Sequence, residues 1–287
     1  MLTNRGLHSV SPDFTAVDDD DDMHPNSGSF FQTKSKKTVL LRLVLVSGIC
    51  AVLYVGLNLN WIRKYFRFQK MFAEMGPVLP VGRCEMIDLG SGSKISGDGQ
   101  KMACKNMFPD QRDCTIISLG SHSEWDFETD AFTKTNCVTH TFDCTGNFEP
   151  PANIASRTFF HKKCVADFAN TEGEQPSVTW PMVLNMTGNR QPVHLKIDIE
   201  GWEWQVMHAI ISGDPSLRPL QISMELHVDP DHHQLGAFIG VGELFRRLSD
   251  IGYDLLWRKD NPYCESCTEV FLVHRPSLDN LYLHSSV

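Results

Sequence analysis

The chain has 287 residues, of which 41% are hydrophobic, and a net charge of −9. This length allows one core of roughly 200 residues together with appendages that do not join it. The acidic balance, and the lack of a basic stripe in the part that should fold, argue against nucleic acid as the main partner, because phosphate binding needs clustered Lys and Arg.

Residues 1–37 predict a disordered tail. They are rich in Ser, Asn, Asp and Gly and include five consecutive aspartates, Asp18–Asp22. Mutual repulsion among these carboxylates opposes compaction. A specific acidic interaction site is the alternative interpretation.

Residues 38–58 predict a transmembrane helix. The stretch "TVLLRLVLVSGICAVLYVGL" carries a single charge, Arg42, and is long enough to cross a hydrocarbon core of about 30 Å. A signal peptide would begin near residue 1 and end in a small-residue cleavage site. A buried core helix would keep a polar stripe. A single-pass membrane anchor is therefore the favoured interpretation.

Cysteine usage indicates which side of the membrane holds the domain. Basic residues flank the predicted span on both sides, so the positive-inside rule does not decide. Cys50 lies in the span, and the other eight cysteines follow it. Eight can all pair, which suits an oxidising compartment, and Asn185-Met-Thr187 adds a glycosylation sequon. We expect a lumenal domain in the endoplasmic reticulum or Golgi; the alternative is a cytosolic domain with free, mostly buried thiols.

Beyond the span, residues 59–75 predict a juxtamembrane linker whose Lys and Arg suit contacts with lipid headgroups. Residues 76–287 predict the folded domain. Its sequence alternates strands with helices. Predicted strands cover 114–120, 137–143, 157–167, 193–200 and 220–228, and predicted helices cover 124–135, 177–188, a segment after 200 that ends at Gly213, and 242–252.

This alternation predicts an α/β fold with a parallel sheet and helices on both of its faces. Ser123 and Asp126 predict a capping box at the start of the first helix. "YDLLWRK" and "TEVFLVHR" close the domain as a hairpin, which adds an antiparallel strand at or near an edge of the sheet.

Two stretches run from an apolar segment into Leu-Gly-Ser: "IDLGSGSKISGDGQ" (87–100) and "IISLGSHSEWDF" (116–127). In an open α/β sheet the ligand lies beyond the carboxyl ends of the strands, and an acid about 20 residues after the first turn holds a ribose. Only the second stretch is followed by a helix and by such an acid, Asp143. We therefore predict cofactor binding by Leu119, Gly120, Ser121 and Asp143, and a loop or short hairpin after Leu89.

The segments "CTIISLGSHSEWDFE", "THTFDCTG", "HLKIDIEGWEW" and "SMELH" resemble the animal methyltransferase-like family related to methyltransferase-like protein 24 and, more distantly, the FkbM-type methyltransferases. The resemblance covers about residues 76–275. Its most specific piece, "LKIDIEGWEW", is similar to the Lys-x-Asp-x-Glu-Gly-x-Glu signature of those families. "GDGQKMAC" (97–104) matches their Gly-Asp-Gly-Gly-Lys segment, with Gln100 in place of a glycine.

The resemblance implies a Rossmann-like seven-stranded methyltransferase sheet with S-adenosylmethionine at its carboxyl edge. Methyl transfer from a sulfonium depends mainly on positioning, and a hydroxyl or amine acceptor also needs a base. Asp198 and Glu200 follow the fourth strand, while Glu225 and His227 end the neighbouring strand on one face. These four are the candidate catalytic residues, Asp198 for orientation of the donor or acceptor and the others as base.

Structural interpretations remain open for two of these residues: Glu200 as the cap of the following helix and His227 as a hydrogen-bonded strand-end residue. Asp198, Glu225 and His227 also suit a divalent cation, but the spacing is weak evidence and we predict no metal. Cys264-Glu-Ser-Cys267 predicts a structural disulfide, because no second Cys-x-x-Cys completes a zinc site.

The sequence therefore predicts a membrane-anchored, S-adenosylmethionine-dependent methyltransferase. Its expected acceptor is a hydroxyl, amine or carboxyl of a small molecule, glycan or protein. A catalytically inactive methyltransferase fold that serves as a binding module is the first alternative. A metal-dependent Golgi glycosyltransferase is the second, because Asp229-Pro-Asp231 has the Asp-x-Asp pattern of those enzymes.

Overall fold

The computed structural model describes residues 45–49, 56, 59, 62–63, 65–82, 84–90, 99–111, 113–170, 175–228, 240–261 and 263–277. The predicted tail 1–37 and the Asp229-Pro-Asp231 motif lie outside these residues. Of the predicted span 38–58, residues 45–49 and 56 are described, and they are helical. Within the described ranges, no helix combines the length and the apolar composition needed to cross a bilayer.

The chain divides into two units, Met1–Val55 and Gly56–Val287, and the second holds the folded domain. The described strands are β1 Met86–Leu89, β2 Lys101–Cys104, β3 Thr115–Leu119, β4 Val138–Phe142, β5 Thr158–His161, β6 Cys164–Val165, β7 Ser177–Val178, β8 His194–Ile197, β9 Gln221–His227, β10 Tyr253–Asp260 and β11 Cys267–His274. Four α-helices with described bounds follow residue 100: α1 Asp126–Lys134, α2 Trp180–Met186, α3 Glu203–Ser212 and α4 Val241–Asp250. Residues 275–277 are also helical.

Seven strands form one sheet in the order β10-β11-β9-β8-β3-β4-β5. The five strands from β9 to β5 are parallel, whereas β11 runs antiparallel to both β9 and β10. The strand order reverses between β3 and β8, which creates a switch point at their carboxyl ends. The Rossmann-like seven-stranded sheet and the antiparallel closing hairpin expected from the sequence are thus confirmed.

Apolar side chains cover both faces of the sheet. Ile116 packs in a cluster with Leu89 and Phe127, on the face covered by α1 and the β1–β2 hairpin. The next residue, Ile117, belongs to the larger cluster with α2, α3 and α4, because successive strand residues point to opposite faces. Every residue of β3 and β8 is buried, as expected of parallel strands with both faces covered.

The segment just before the domain also contributes to the core. Residues 65–73 are helical, and the side chains of Phe68, Phe72 and Met75 lie in the larger cluster. The guanidinium of Arg258 donates to the carbonyl of Phe72 at 3.1 Å. Burial of each phenylalanine contributes roughly 1.5–3 kcal/mol. The stretch predicted as a linker therefore supplies part of the packed domain.

Helix ends follow the sequence in some places and not in others. Gly213 is the C-cap of α3, as the sequence predicts. A Cβ at this position would lie 2.7 Å from the carbonyl oxygen of Ala209, so glycine is required there. The predicted capping box is wrong: α1 begins at Asp126 with Trp125 at its N-cap and no side-chain cap. Ser123 instead adopts a left-handed conformation, with φ of 65°, in the turn before the helix.

Two predicted elements are shorter than expected. The strand expected over 157–167 divides into β5, in the main sheet, and β6, which pairs with β7 in a separate two-stranded sheet. The helix expected over 177–188 is α2 alone, since residues 177 and 178 form β7. Pro181, near the start of α2, lacks an N–H and is tolerated there.

All eight cysteines beyond the predicted span form disulfides. The pairs are Cys84–Cys104, Cys114–Cys137, Cys144–Cys164 and Cys264–Cys267. The expectation that these cysteines can all pair, and that Cys264 belongs to a structural disulfide, is confirmed. In the chain-entropy model, each of the three disulfides that close a longer loop adds about 3 kcal/mol to the free energy of unfolding.

Candidate functional site

The glycine turn after β3 lies at the switch point and touches the end of β8. The N–H of Gly120 donates to the carbonyl of Phe142 at 2.9 Å, and the N–H of Asp198 donates to the carbonyl of Leu119 at 3.0 Å. Gly120 has φ of 81°, and a Cβ there would lie 1.8 Å from the carbonyl oxygen of Asp198. A side chain at position 120 therefore has no space, and glycine is required.

Asp143, the predicted ribose acid, holds this turn in place. One carboxylate oxygen accepts from the N–H groups of Ser121 (2.8 Å) and His122 (2.7 Å). The other accepts from the N–H (2.8 Å) and the hydroxyl (2.6 Å) of Thr145. Burial alone would raise the pKa of Asp143, but the hydrogen bonds from Thr145, His122 and Ser121 lower it. The carboxylate is ionised, and its acceptor positions are filled by its own chain.

Ser121 adds a polar atom that no described residue uses. Its hydroxyl is buried and has no hydrogen-bond partner among the described residues. Buried polar groups are nearly always paired with protein, water or ligand. The hydroxyl of Ser121 is therefore available to a ligand at the turn.

The signature after β8 places its two glutamates in different roles. Glu203 is fully buried, and its carboxylate accepts from the N–H groups of Ile199 (2.9 Å) and Gly201 (3.0 Å). Glu200 has a left-handed backbone, with φ of 55°, and a side chain that is 80% exposed. The capping role considered for Glu200 is wrong, because α3 begins at Glu203 without a side-chain cap; Glu203 instead holds the turn that precedes the helix.

Lys101 brings a buried positive charge to the same edge. Its side chain is 1% exposed, and Nζ lies 2.5 Å from Glu269 and 3.5 Å from the Asp198 carboxylate. Glu269 on β11 pairs directly opposite Glu225 on β9. Like charges directly opposite each other destabilise a sheet, so the ammonium of Lys101 stabilises this pairing.

The charges of this cluster control its protonation. Burial lowers the pKa of Lys101, but Glu269, Asp198 and Glu225 raise it well above its usual value. Burial raises the pKa of Asp198, yet Lys101 and other nearby positive groups bring it below its usual range. Lys101 and Asp198 are therefore both charged at neutral pH.

Glu225 and His227 are shifted differently. Burial and the negative charges of Asp198 and Glu269 raise the pKa of Glu225 to about 7, although Lys101 opposes this. Burial would lower the pKa of His227, but the hydrogen bond and charge of Glu203 help to raise it to about 9. At neutral pH Glu225 is poised between its two forms, whereas His227 is protonated.

His227 joins the two glutamates of the signature. Nδ1 lies 3.1 Å from Glu203 and Nε2 lies 3.4 Å from Glu200. The ligand atoms of Asp198, Glu200 and His227 all lie within 4.8 Å of one another. These three could hold a divalent cation, and one of them, Asp198, is also paired with the ammonium of Lys101. Glu225 and His227 form a second such group with Cys267, whose sulfur is committed to a disulfide.

The structure therefore brings the four candidate catalytic residues to one edge, beside the predicted cofactor turn. Sequence reasoning missed Lys101, Glu203 and Glu269 as members of the site. Lys101 lies in the "GDGQKMAC" segment, and Glu203 is the second glutamate of "EGWEW". A single charge inside the apolar run "TEVFLV" was the available signal for Glu269.

Comparison with known proteins gives one family match. A family model described as a methyltransferase domain matches residues 83–274. A domain of this kind uses S-adenosylmethionine, so the cofactor expected from the sequence is confirmed. Comparison with curated proteins finds no significant match.

Comparison with solved structures finds matches at low similarity. Fibrillarin pre-rRNA processing protein of Methanococcus jannaschii is 11% identical, with a TM-score of 0.36, over 69% of this chain and 85% of its own. Aeropyrum pernix fibrillarin with bound S-adenosyl-L-methionine is 9% identical, with a TM-score of 0.34, over 70% and 86%. Burkholderia thailandensis 1,6-didemethyltoxoflavin-N1-methyltransferase, with S-adenosylhomocysteine, is 12% identical, with a TM-score of 0.34, over 57% and 72%.

Substitution of the two turn glycines should have unequal effects. We expect Gly120→Ala to abolish cofactor binding, since the added methyl would collide with the backbone of Asp198. Gly90→Ala should weaken binding much less, because its Cβ would approach Gly99 and Phe127 at 3.1 and 3.2 Å, away from the switch point. Calorimetric titration with S-adenosylmethionine measures both; equal losses would contradict the assignment of the turn.

The charge on His227 should make stability depend on pH. Its folded-state pKa, about 9, exceeds the ordinary 6.5, so its contribution is fully present below 6.5 and is lost as pH rises through 9. We expect His227→Asn to destabilise the protein most at the acidic end of this window and little above it. Denaturant unfolding across the window measures the difference. The exposed His208→Asn is the control, and a constant difference would contradict the argument.

Proposed function

The chain belongs to a methyltransferase-domain family, and on this premise we propose that it transfers a methyl group from S-adenosylmethionine to an acceptor hydroxyl, amine or carboxyl. The observation that carries the proposal is the backbone contact between Gly120 and Asp198, which sets the cofactor turn beside Glu225 and His227. Cofactor contacts and proton acceptors then lie at one edge of the sheet.

The residues present at this edge suit the cofactor. When bound, S-adenosylmethionine supplies a methyl group already activated on a positively charged sulfur. The ionised Asp198 offers a negative charge to such a cation, and Ser121 offers an unpaired hydroxyl. Asp143 shapes the turn through its four hydrogen bonds, so it can contact a ribose only by exchanging one of them.

Among the candidate bases, the protonation states favour Glu225. A base works best when its pKa lies near the operating pH. Burial and the nearby negative charges raise the pKa of Glu225 to about 7. His227 is protonated at that pH and supplies positive charge instead. Asp198 is a weak proton acceptor because its pKa is lowered, so we assign it orientation of the donor or acceptor. Glu200 remains an exposed second candidate base.

A narrower family assignment rests on the signature. "LKIDIEGWEW" forms the end of β8, the Asp198 turn and the start of α3. Its Glu203 accepts from the N–H of Ile199, and both of its glutamates contact His227 on β9. This supports placing the chain with the family related to methyltransferase-like protein 24 and the FkbM-type methyltransferases.

We propose that the protein is membrane-anchored, with its domain in the lumen of the endoplasmic reticulum or Golgi; the disulfides support the oxidising compartment. Four disulfides and no free cysteine in the domain suit an oxidising compartment. Asn185 of the sequon is exposed on α2. The anchor in this proposal is the predicted span 38–58.

Glycosylation tests the compartment. We expect the full chain expressed in animal cells to gain electrophoretic mobility after treatment with an N-glycosidase, and Asn185→Gln to remove that change. Asn136→Gln, which alters an exposed asparagine outside any sequon, should leave it intact. A wild-type chain that carries no glycan would contradict the lumenal assignment.

A second candidate function, a binding module without catalysis, is favoured by one observation. Every acceptor position of Asp143 is filled by its own chain, and Lys101 ties Glu269 and Asp198 together, so much of the edge is engaged in structure. Cofactor binding without turnover over a broad panel of acceptors would favour this alternative.

Cofactor binding tests the proposal directly. We expect the full chain in detergent to bind S-adenosylmethionine in calorimetry. Asp198→Asn should weaken binding about tenfold, or about 1.4 kcal/mol, because a negative charge facing the cofactor is lost. Asp113→Asn, at a surface carboxylate paired with Arg190, is the matched control and should bind as wild type. Failure of the wild type to bind would contradict the methyltransferase function.

A further inference from the structure

The helical segment before the domain has two apolar faces rather than one. Its described residues, 59, 62–63 and 65–73, are all helical. One face carries Phe68 and Phe72, which are buried in the main core. A helix on the surface of a soluble protein normally has a single apolar stripe, directed at its core.

The second apolar face is exposed. Leu59 is 47% exposed, Ile62 is 39% exposed and Phe66 is 66% exposed. Their spacing of three and four residues places them on one side of the helix, about half a turn away from Phe68 and Phe72. None of the residues that the structure describes covers this stripe.

Positive charges border the exposed stripe. Arg63, Arg67 and Lys70 are exposed and follow the stripe along its edge. Residues 59–73 contain no acidic residue, although the whole chain has a net charge of −9. Charge and apolar surface are thus concentrated on the same side of one short helix.

We infer that this face lies in the headgroup region of a phospholipid bilayer, with Leu59, Ile62 and Phe66 in the interface and the basic side chains on lipid phosphates. An exposed apolar stripe bordered by Lys and Arg is the pattern of helices that lie in a membrane surface. The inference rests on the proposed anchoring, because the predicted span ends at residue 58, one position before the stripe begins.

A second copy of the chain fits this face less well. A two-fold contact places the same patch on both subunits, so the three basic side chains of one copy would face those of the other. Lipid phosphates neutralise these charges instead. Because Phe68 and Phe72 attach the opposite side of the helix to the sheet, the domain is held against the membrane surface rather than suspended from a flexible linker.

Photocrosslinking tests the inference on the full chain in vesicles of phosphatidylcholine with a minority of phosphatidylserine. Position 66 receives p-benzoylphenylalanine in place of Phe66. The matched control is the same replacement of Phe159, which is 48% exposed on β5. We expect lipid adducts several-fold more abundant at position 66 than at position 159, and circular dichroism should show both variants folded.

Two results would overturn the inference: equal lipid adducts at the two positions, or crosslinks at position 66 that join two copies of the chain. Resistance of the protein to carbonate extraction reports separately on the span, and calorimetry with S-adenosylmethionine reports on the methyltransferase function. The contact of the helix with lipid headgroups, the membrane span and the methyltransferase function are therefore tested separately, and each can fail without the others.

Discussion

A single buried ammonium organises the carboxyl edge of this sheet. Lys101 comes from the β1–β2 hairpin, outside the sheet, yet its Nζ lies between carboxylates of β11 and of the turn after β8. An uncompensated buried charge is costly, so each of these carboxylates depends on the lysine and the lysine depends on them. The lowered pKa of Asp198 follows from that position, and the ammonium also stabilises the ladder contact of Glu225 with Glu269. The hairpin is thus part of the site, although it does not hold the cofactor turn.

Much of the fold could be predicted because its strands and helices have clear local sequence patterns. Continuous apolar runs mark the parallel strands, and the spacing of Leu244 and Leu248 marks α4. The two similar turns also differ in the structure: Gly90 follows the first strand of the β1–β2 pair, while the Gly120 turn meets the switch point. The assignment of the Gly120 turn to the cofactor stays a prediction.

What could not be predicted depends on partners far apart in the chain. Lys101 and Glu269 are separated by 168 residues, and no local pattern shows that they meet. The predicted capping box was wrong for a similar reason, because the turn before α1 is held by Asp143 on another element. Asp143 accepts from the N–H groups of Ser121 and His122, and the next residue, Ser123, has a left-handed turn conformation instead of an N-cap conformation. The contacts of Glu200 and Glu203 with His227 likewise depend on the neighbouring strand, which lies more than 20 residues further along the chain.

The disulfides have a consequence for the order in which the molecule is made. They join neighbouring cysteines in chain order, with separations of 20, 23, 20 and 3 residues. Each can close soon after its second cysteine leaves the ribosome, without waiting for a distant partner, since domains form from the N-terminus during synthesis. The charge cluster has the opposite requirement: Lys101 is made early, but Glu269 arrives on the last strand. The disulfides can therefore form one after another along the nascent chain. The charge cluster at the carboxyl edge of the sheet forms only after Glu269 on the last strand has been synthesised.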